Sequence, residues 1–151
     1  PLLGLADFPA LNERWIGYEN KCFLNNSEYS LSANKIKDIS QATIGSTSPS
    51  LFSADGTRKY QKLLEITKYH TWSGDCHNYC LVLKGGLDLV VEEGLSSYDI
   101  LPLVPILKSQ NIQITDWESK ELKLERDTLY KYNTIVSSSA EIYDSALTVL
   151  K

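Results

Sequence analysis

The sequence predicts an α/β layered fold, a mixed sheet flanked by helices. Two observations carry this. From residue 69 onward, short apolar runs alternate with longer segments whose apolar residues recur at helical spacing. Before that, three apolar runs broken by turn residues within the first 25 positions read as an antiparallel meander. Composition agrees: 151 residues, 42% hydrophobic and 23% charged, are enough for one domain with its own core.

Leu2–Phe8 is an apolar strand closed by Pro9. Asn12–Tyr18 is a second strand, with Trp15 and Ile16 available for burial, and Cys22-Phe23-Leu24 a third, ending at Asn25-Asn26. Tyr29–Ser40 is polar and reads as a connecting segment. Gln41–Ser46 is a strand, and Ser46–Pro49 a loop. Ala54–Lys68 is a helix: Tyr60, Leu63, Leu64 and Thr67 share a face, and Ser53 and Asp55 offer caps. Tyr69–Trp72 is a short strand. Asp75–Leu83 is a helix stopped by Gly85-Gly86, and Leu87–Val91 a strand buried on both faces. Ser97–Leu107 is a helix entered through Ser96 or Ser97. Pro102 and Pro105 predict a kink or frayed start in it. Asn111–Asp116 is a strand, Trp117–Leu124 a hairpin or excursion, and Tyr132–Ser137 the last strand. Ser138 or Ser139 then caps a final helix with Ile142, Ala146 and Val149 on one face.

Charge and cysteine content narrow the function. A net charge of −4 and no Lys/Arg run argue against nucleic acid as a partner. No apolar run reaches the roughly 18–20 residues of a membrane span. Three cysteines, without scaffold spacing, point to reduced thiols and a cytoplasmic protein. The chain starts at Pro1 and holds no Met, and its first apolar strand has nothing before it to pair with. It is therefore expected to be part of a longer protein.

Chemistry concentrates in residues 72–99. Asp99 follows the Leu87–Val91 strand and opens a helix, where orphan amides and the dipole stabilise a carboxylate. It is either a helix-start Asp or a ligand for a hard cation, since Mg²⁺ takes oxygen donors. Glu92 and Glu93 end the strand on opposite faces, so at most one points into a site. Asp75, after Ser73-Gly74, either caps its helix or meets a polar ligand. Cys76, His77 and Cys80, with His70 nearby, raise zinc. One Cys pair is a weak signal, and small thiols on a buried helix face are the better reading. Asp55-Gly56-Thr57 looks like the end of a phosphatase metal motif, but no Asp-Pro precedes it and it opens a helix.

Residues 72–117 resemble the carboxy-terminal half of the inositol-monophosphatase-like, Mg²⁺-dependent phosphatases, most of all the histidinol-phosphatase branch. The carrying segments are Trp72-Ser73-Gly74-Asp75-Cys76, Leu87-Asp88-Leu89-Val90-Val91-Glu92-Glu93-Gly94-Leu95, Tyr98-Asp99, Leu103-Val104-Pro105-Ile106 and Thr115-Asp116-Trp117. Gly4–Phe8, Glu13-Arg14-Trp15-Ile16-Gly17 and Thr47-Ser48-Pro49 fit the same family, so the similarity spans nearly the whole chain.

The resemblance implies the carboxy-terminal half of the inositol monophosphatase and fructose-1,6-bisphosphatase-like fold, residues 1–151 forming a single α/β subdomain. It implies Asp99 as a Mg²⁺ ligand, Glu92 as a substrate contact, and Ser73, Gly74 and Asp75 as lining the substrate pocket. Asp75 stands where inositol phosphatases usually carry Ala, and favours a cationic substrate such as histidinol phosphate over inositol phosphate. The family's other metal ligands, a helix Glu and Asp-Pro-Ile/Leu-Asp-Gly-Thr, do not occur in the chain. They belong to an amino-terminal half expected upstream, so residues 1–151 alone are expected to be inactive. Ile100-Leu101-Pro102 departs from the small residues usual after the Asp, and the usual Gly-Gly turn is lacking near Gln110-Asn111. A homodimer is also implied. A reading of another class is a non-catalytic binding or assembly module.

Overall fold

The structure, a computed structural model, describes residues 1–31 and 36–151. The connecting segment expected over 29–40 lies partly outside them. Two sheets form. The first is an antiparallel meander of β1 (Leu3–Phe8), β2 (Glu13–Tyr18), β3 (Lys21–Leu24) and β4 (Ser27–Tyr29), in that spatial order. Its β2–β3 and β3–β4 hairpins turn on residue pairs with positive φ, Glu19-Asn20 (48° and 61°) and Asn25-Asn26 (49° and 68°). Paired left-handed residues match the twist of the flanking strands. The sequence predicts a strand end at Asn25-Asn26. The pair is a hairpin turn, and β4, at three residues too short to show a period, follows it.

The second sheet has the order β6-β5-β7-β9-β8, from β5 (Thr43–Ser46), β6 (Tyr69–Trp72), β7 (Leu89–Leu95), β8 (Gln113–Thr115) and β9 (Tyr132–Ser137). β5 runs parallel to β6 and β7, while β9 is antiparallel to β7 and β8. The helices are α1 (Ala54–Ile66), α2 (Cys76–Lys84), α3 (Ser97–Ile100), α4 (Leu103–Lys108) and α5 (Ala140–Leu150).

Side-chain alternation along β7 divides the core in two. Leu89 and Val91 pack with Tyr60 and Leu63 of α1 and Ile142 and Ala146 of α5. Val90 packs on the other face with Cys80 and Leu83 of α2 and Ile106 of α4, and Trp15 of the first sheet completes that cluster. The layers run α1/α5, second sheet, α2/α4, first sheet. Two glycines let α4 lie against the first sheet. A Cβ at Gly17 would stand 2.3 Å from the Ile106 amide nitrogen, and one at Gly4 1.8 Å from the Pro102 carbonyl oxygen. The helix expected over Ser97–Leu107 is broken into α3 and α4 at Leu101-Pro102, and Pro105 falls in the first turn of α4, where its lost N–H costs nothing.

Caps fall where expected: Ser53 Oγ accepts from the Gly56 N–H at 3.0 Å, Ser139 Oγ from the Ile142 N–H at 3.4 Å, and Gly85 closes α2 with φ 74°. Asp55 pairs with Arg58 and Lys59 in the first turn of α1, an ordinary helix start. The excursion after β8 forms no hairpin. It is tied down by Trp117 Nε1 donating to the Thr134 carbonyl at 3.1 Å and by Tyr132 Oη donating to the Lys123 carbonyl at 2.9 Å.

Candidate active site

Strand β7 differs most from expectation. It begins at Leu89 and runs on to Leu95, so Glu92 lies inside the strand rather than at its exit. Beyond Glu92 the pairing slips: Glu92 faces Thr134 and Leu95 faces Tyr132, so Glu93 and Gly94 share Asn133. This is a bulge, with Gly94 at φ 80° and its N–H donating to Asn133 Oδ1 at 3.2 Å.

The two glutamates take opposite sides. Glu93 accepts from Ser53 N–H (2.9 Å) and Ser53 Oγ (2.8 Å) at the start of α1. Glu92, only 1% exposed, turns to the other face. Its Oε1 accepts from the Thr47 N–H at 2.6 Å and Thr47 Oγ1 at 2.7 Å, and its Oε2 from Ser46 Oγ at 3.2 Å. Burial pushes its carboxyl above the ordinary glutamate range; the Thr47 and Ser46 bonds oppose this, and the charge of Asp75 adds to it. Behind it, Tyr79 is fully buried, its hydroxyl 3.2 Å from Thr134 Oγ1. Burial first, then the Glu92 charge, keep that phenol protonated.

The turn between β6 and α2 has three successive positive φ values: Ser73 at 73°, Gly74 at 101° and Asp75 at 42°. Such strain persists only when the surroundings over-determine it. Here buried Asn78 donates through Nδ2 to the Ser73 carbonyl at 2.8 Å, and the Ser73 N–H donates to the Thr47 carbonyl at 2.9 Å. Asp75 precedes α2 but makes no side-chain cap bond, which leaves its carboxylate free to face solvent. Asp99 is the third residue of α3. Its Oδ2 accepts from the Ser96 N–H at 2.8 Å, so one carboxylate oxygen serves the helix start.

A cleft of ≈ 430 Å³ brings Asp75, Glu92 and Asp99 together, with Thr47, Tyr79 and Lys131 also in its wall. It lies past the carboxyl ends of the parallel strands, where open α/β sheets bind ligands. Ser73 and Gly74 are outside this lining and shape it only through the backbone of Asp75. Thr47, Asn78 and Lys131 were missed as site residues. Only Thr47 carried a signal, in Thr47-Ser48-Pro49.

The zinc alternative gains nothing. Among the described residues no three His, Cys, Asp or Glu side chains are placed to hold one metal ion. Cys80 is buried and Cys76 exposed, so they do not share a covered face as expected; Cys76 stands at the open end of α2. His77 packs edge-on against Phe8, and His70 lies at a tilt beside Trp72.

A mixed sheet whose parallel strands open onto a carboxylate-lined cleft defines an α/β domain with a candidate small-ligand site. The chain belongs to the inositol monophosphatase family, whose model matches residues 1–150. It is 35% identical over 154 aligned residues to the chloroplastic bifunctional phosphatase IMPL2 of Arabidopsis thaliana, covering 100% of this chain and 44% of that protein. An inositol monophosphatase from Zymomonas mobilis superposes with a TM-score of 0.88 at 29% identity, over 99% of this chain and 57% of that one. The inositol monophosphatase of Thermotoga maritima gives 0.73 at 22%, over 98% and 55%, and supports the fold alone. The same holds for an inositol monophosphatase/NADP phosphatase complexed with Mg²⁺ and phosphate, at 0.79 and 16%, over 99% and 54%. The chain thus spans about half the length of the proteins it matches. No helix among the described residues is long and apolar enough to cross a membrane.

Proposed function

We propose that residues 1–151 form the substrate-side half of a Mg²⁺-dependent phosphomonoesterase whose substrate is histidinol phosphate. The observation that carries this is the meeting of Asp75, Glu92 and Asp99 in one cleft, within a chain of the inositol monophosphatase family. Asp99 suits a hard cation: it is exposed, it donates oxygen, and only its Oδ2 is committed to Ser96. Asp99 supplies only part of the octahedral oxygen shell that Mg²⁺ takes, and no group of three ligands exists among the described residues. The remaining ligands are therefore assigned to the segment by which the relatives exceed this chain. Bound Mg²⁺ would activate water and stabilise the leaving oxygen. Asp75 holds the ammonium or imidazolium end of the substrate, and Glu92, fixed by Thr47 and Ser46, accepts from a substrate hydroxyl or amine.

Paired assays on the full-length protein test this. Asp75→Ala is expected to raise KM for histidinol phosphate about tenfold or more and leave inositol phosphate turnover near its original level. Equal losses on both substrates would remove the argument for a cationic substrate. Purified residues 1–151 are expected to show no Mg²⁺-dependent turnover; turnover by that chain alone would overturn the division into halves.

A further inference from the structure

We infer that Lys131 is a substrate-contacting residue that takes the anionic end of the substrate; the inference rests on the phosphomonoesterase reading above. The cleft wall holds three carboxylates, Asp75, Glu92 and Asp99, and Lys131 is its single cation among the described residues. A phosphomonoester, close to doubly negative at neutral pH, is repelled by such a wall. Lys131 is the group of this chain that can reverse the sign locally.

Its charge is uncommitted. Among the described residues Lys131 makes no ion pair, whereas eight other lysine and arginine side chains do. Its Nζ instead donates to Ser96 Oγ at 2.8 Å, using one of three ammonium donors. The main-chain N–H of the same Ser96 holds Asp99 Oδ2 at 2.8 Å. Ser96 therefore carries a cation on its side chain and a carboxylate on its backbone, adjacent but not spent on each other. A phosphate taking the two remaining Lys131 donors lies beside Asp99, the proposed cation ligand. Asp75, also in the wall, is left for the cationic end. Lys131 and Asp75 together give the cleft a polarity that fixes which way round the substrate enters.

The test uses the full-length protein and its Lys131→Met and Lys131→Arg variants. Steady-state kinetics on histidinol phosphate are combined with inhibition by inorganic phosphate and by histidinol, and with direct phosphate binding by ³¹P line broadening. For Lys131→Met, KM and the phosphate inhibition constant are expected to rise about tenfold, as for loss of one charged hydrogen bond, with kcat within about twofold. Inhibition by histidinol, which has no phosphate, stays unchanged, and Lys131→Arg restores most of the phosphate affinity. Unchanged phosphate inhibition in Lys131→Met, or an equal weakening of histidinol, would overturn the role while leaving the phosphatase reading intact. A parent protein that neither hydrolyses phosphomonoesters nor broadens the phosphate resonance would overturn both.

Discussion

Glu92 and Thr47, 45 residues apart in the chain, are joined through a single oxygen: Oε1 of Glu92 accepts both the main-chain N–H and the hydroxyl of Thr47. The contact clips β7 to the end of β5 and holds a buried carboxylate at the wall of the cleft. Removing one donor leaves that oxygen under-satisfied where water cannot replace it. Thr47→Val, which keeps the shape, is expected to lower stability by about 1–3 kcal/mol. Urea unfolding measures it, and an unchanged midpoint would mean the hydroxyl contributes nothing.

The same carboxyl predicts a pH dependence. The native state holds the Glu92 proton more tightly than the unfolded chain does, because burial outweighs the bonds to its charged form. Between the ordinary glutamate value and the raised one, the native state binds more protons, so this group's contribution to stability falls as pH rises. Glu92→Gln should flatten that part of the curve, read from urea midpoints at a series of pH values.

The turn before α2 sets stability against binding. Asp75 sits at φ 42°, a region that suits glycine. Asp75→Gly is expected to stabilise the fold by about 1 kcal/mol while weakening the cationic end of the site. Thermal unfolding with parallel kinetics separates the two; a destabilised Gly variant would show that the Asp side chain, not the backbone, holds the turn.

Close approach of α4 to the first sheet rests on Gly17. Gly17→Ala puts a methyl group into the backbone at Ile106, with no flexible side chain to yield. A loss of about 3 kcal/mol or failure to fold is expected, checked by circular dichroism and urea unfolding.

The three thiols should differ. Burial pushes Cys22 up to about 11 and Cys80 well above the ordinary thiol range, and neither side chain reaches solvent. Cys76 lines the cleft; partial cover, then the Asp75 charge, raise its pKa more modestly. A maleimide should label Cys76 alone on the native protein, faster as pH rises and faster still in Asp75→Asn. Labelling of all three at one rate would mean that the α2 face opens.

The sheets and helices were legible because their periods are local. What escaped depended on partners far along the chain. The pairing slip that extends β7 is set by β9, so Glu92-Glu93-Gly94 read as a strand exit. Asp75, Glu92 and Asp99 stood out by residue type and by resemblance. Thr47, 45 residues from Glu92, and Lys131, 35 from Ser96, reach the cleft only through sheet order. Asn78 was hidden inside a helix that otherwise reads as thiols and aromatics.

The bulge at Glu93-Gly94 acts as a phase lock on two adjacent, chemically equal residues. Slide β7 by one position and Glu92 would enter the apolar layer under α1 and α5, while Glu93 would leave its seat at Ser53. Both glutamates thereby veto the slipped register, one by the cost of an unpaired buried charge and the other by leaving the Ser53 N–H and hydroxyl without their acceptor. A deletion of Gly94 should therefore damage folding before it damages the cleft, and exchanging the two jobs would need the strand rebuilt rather than a residue replaced.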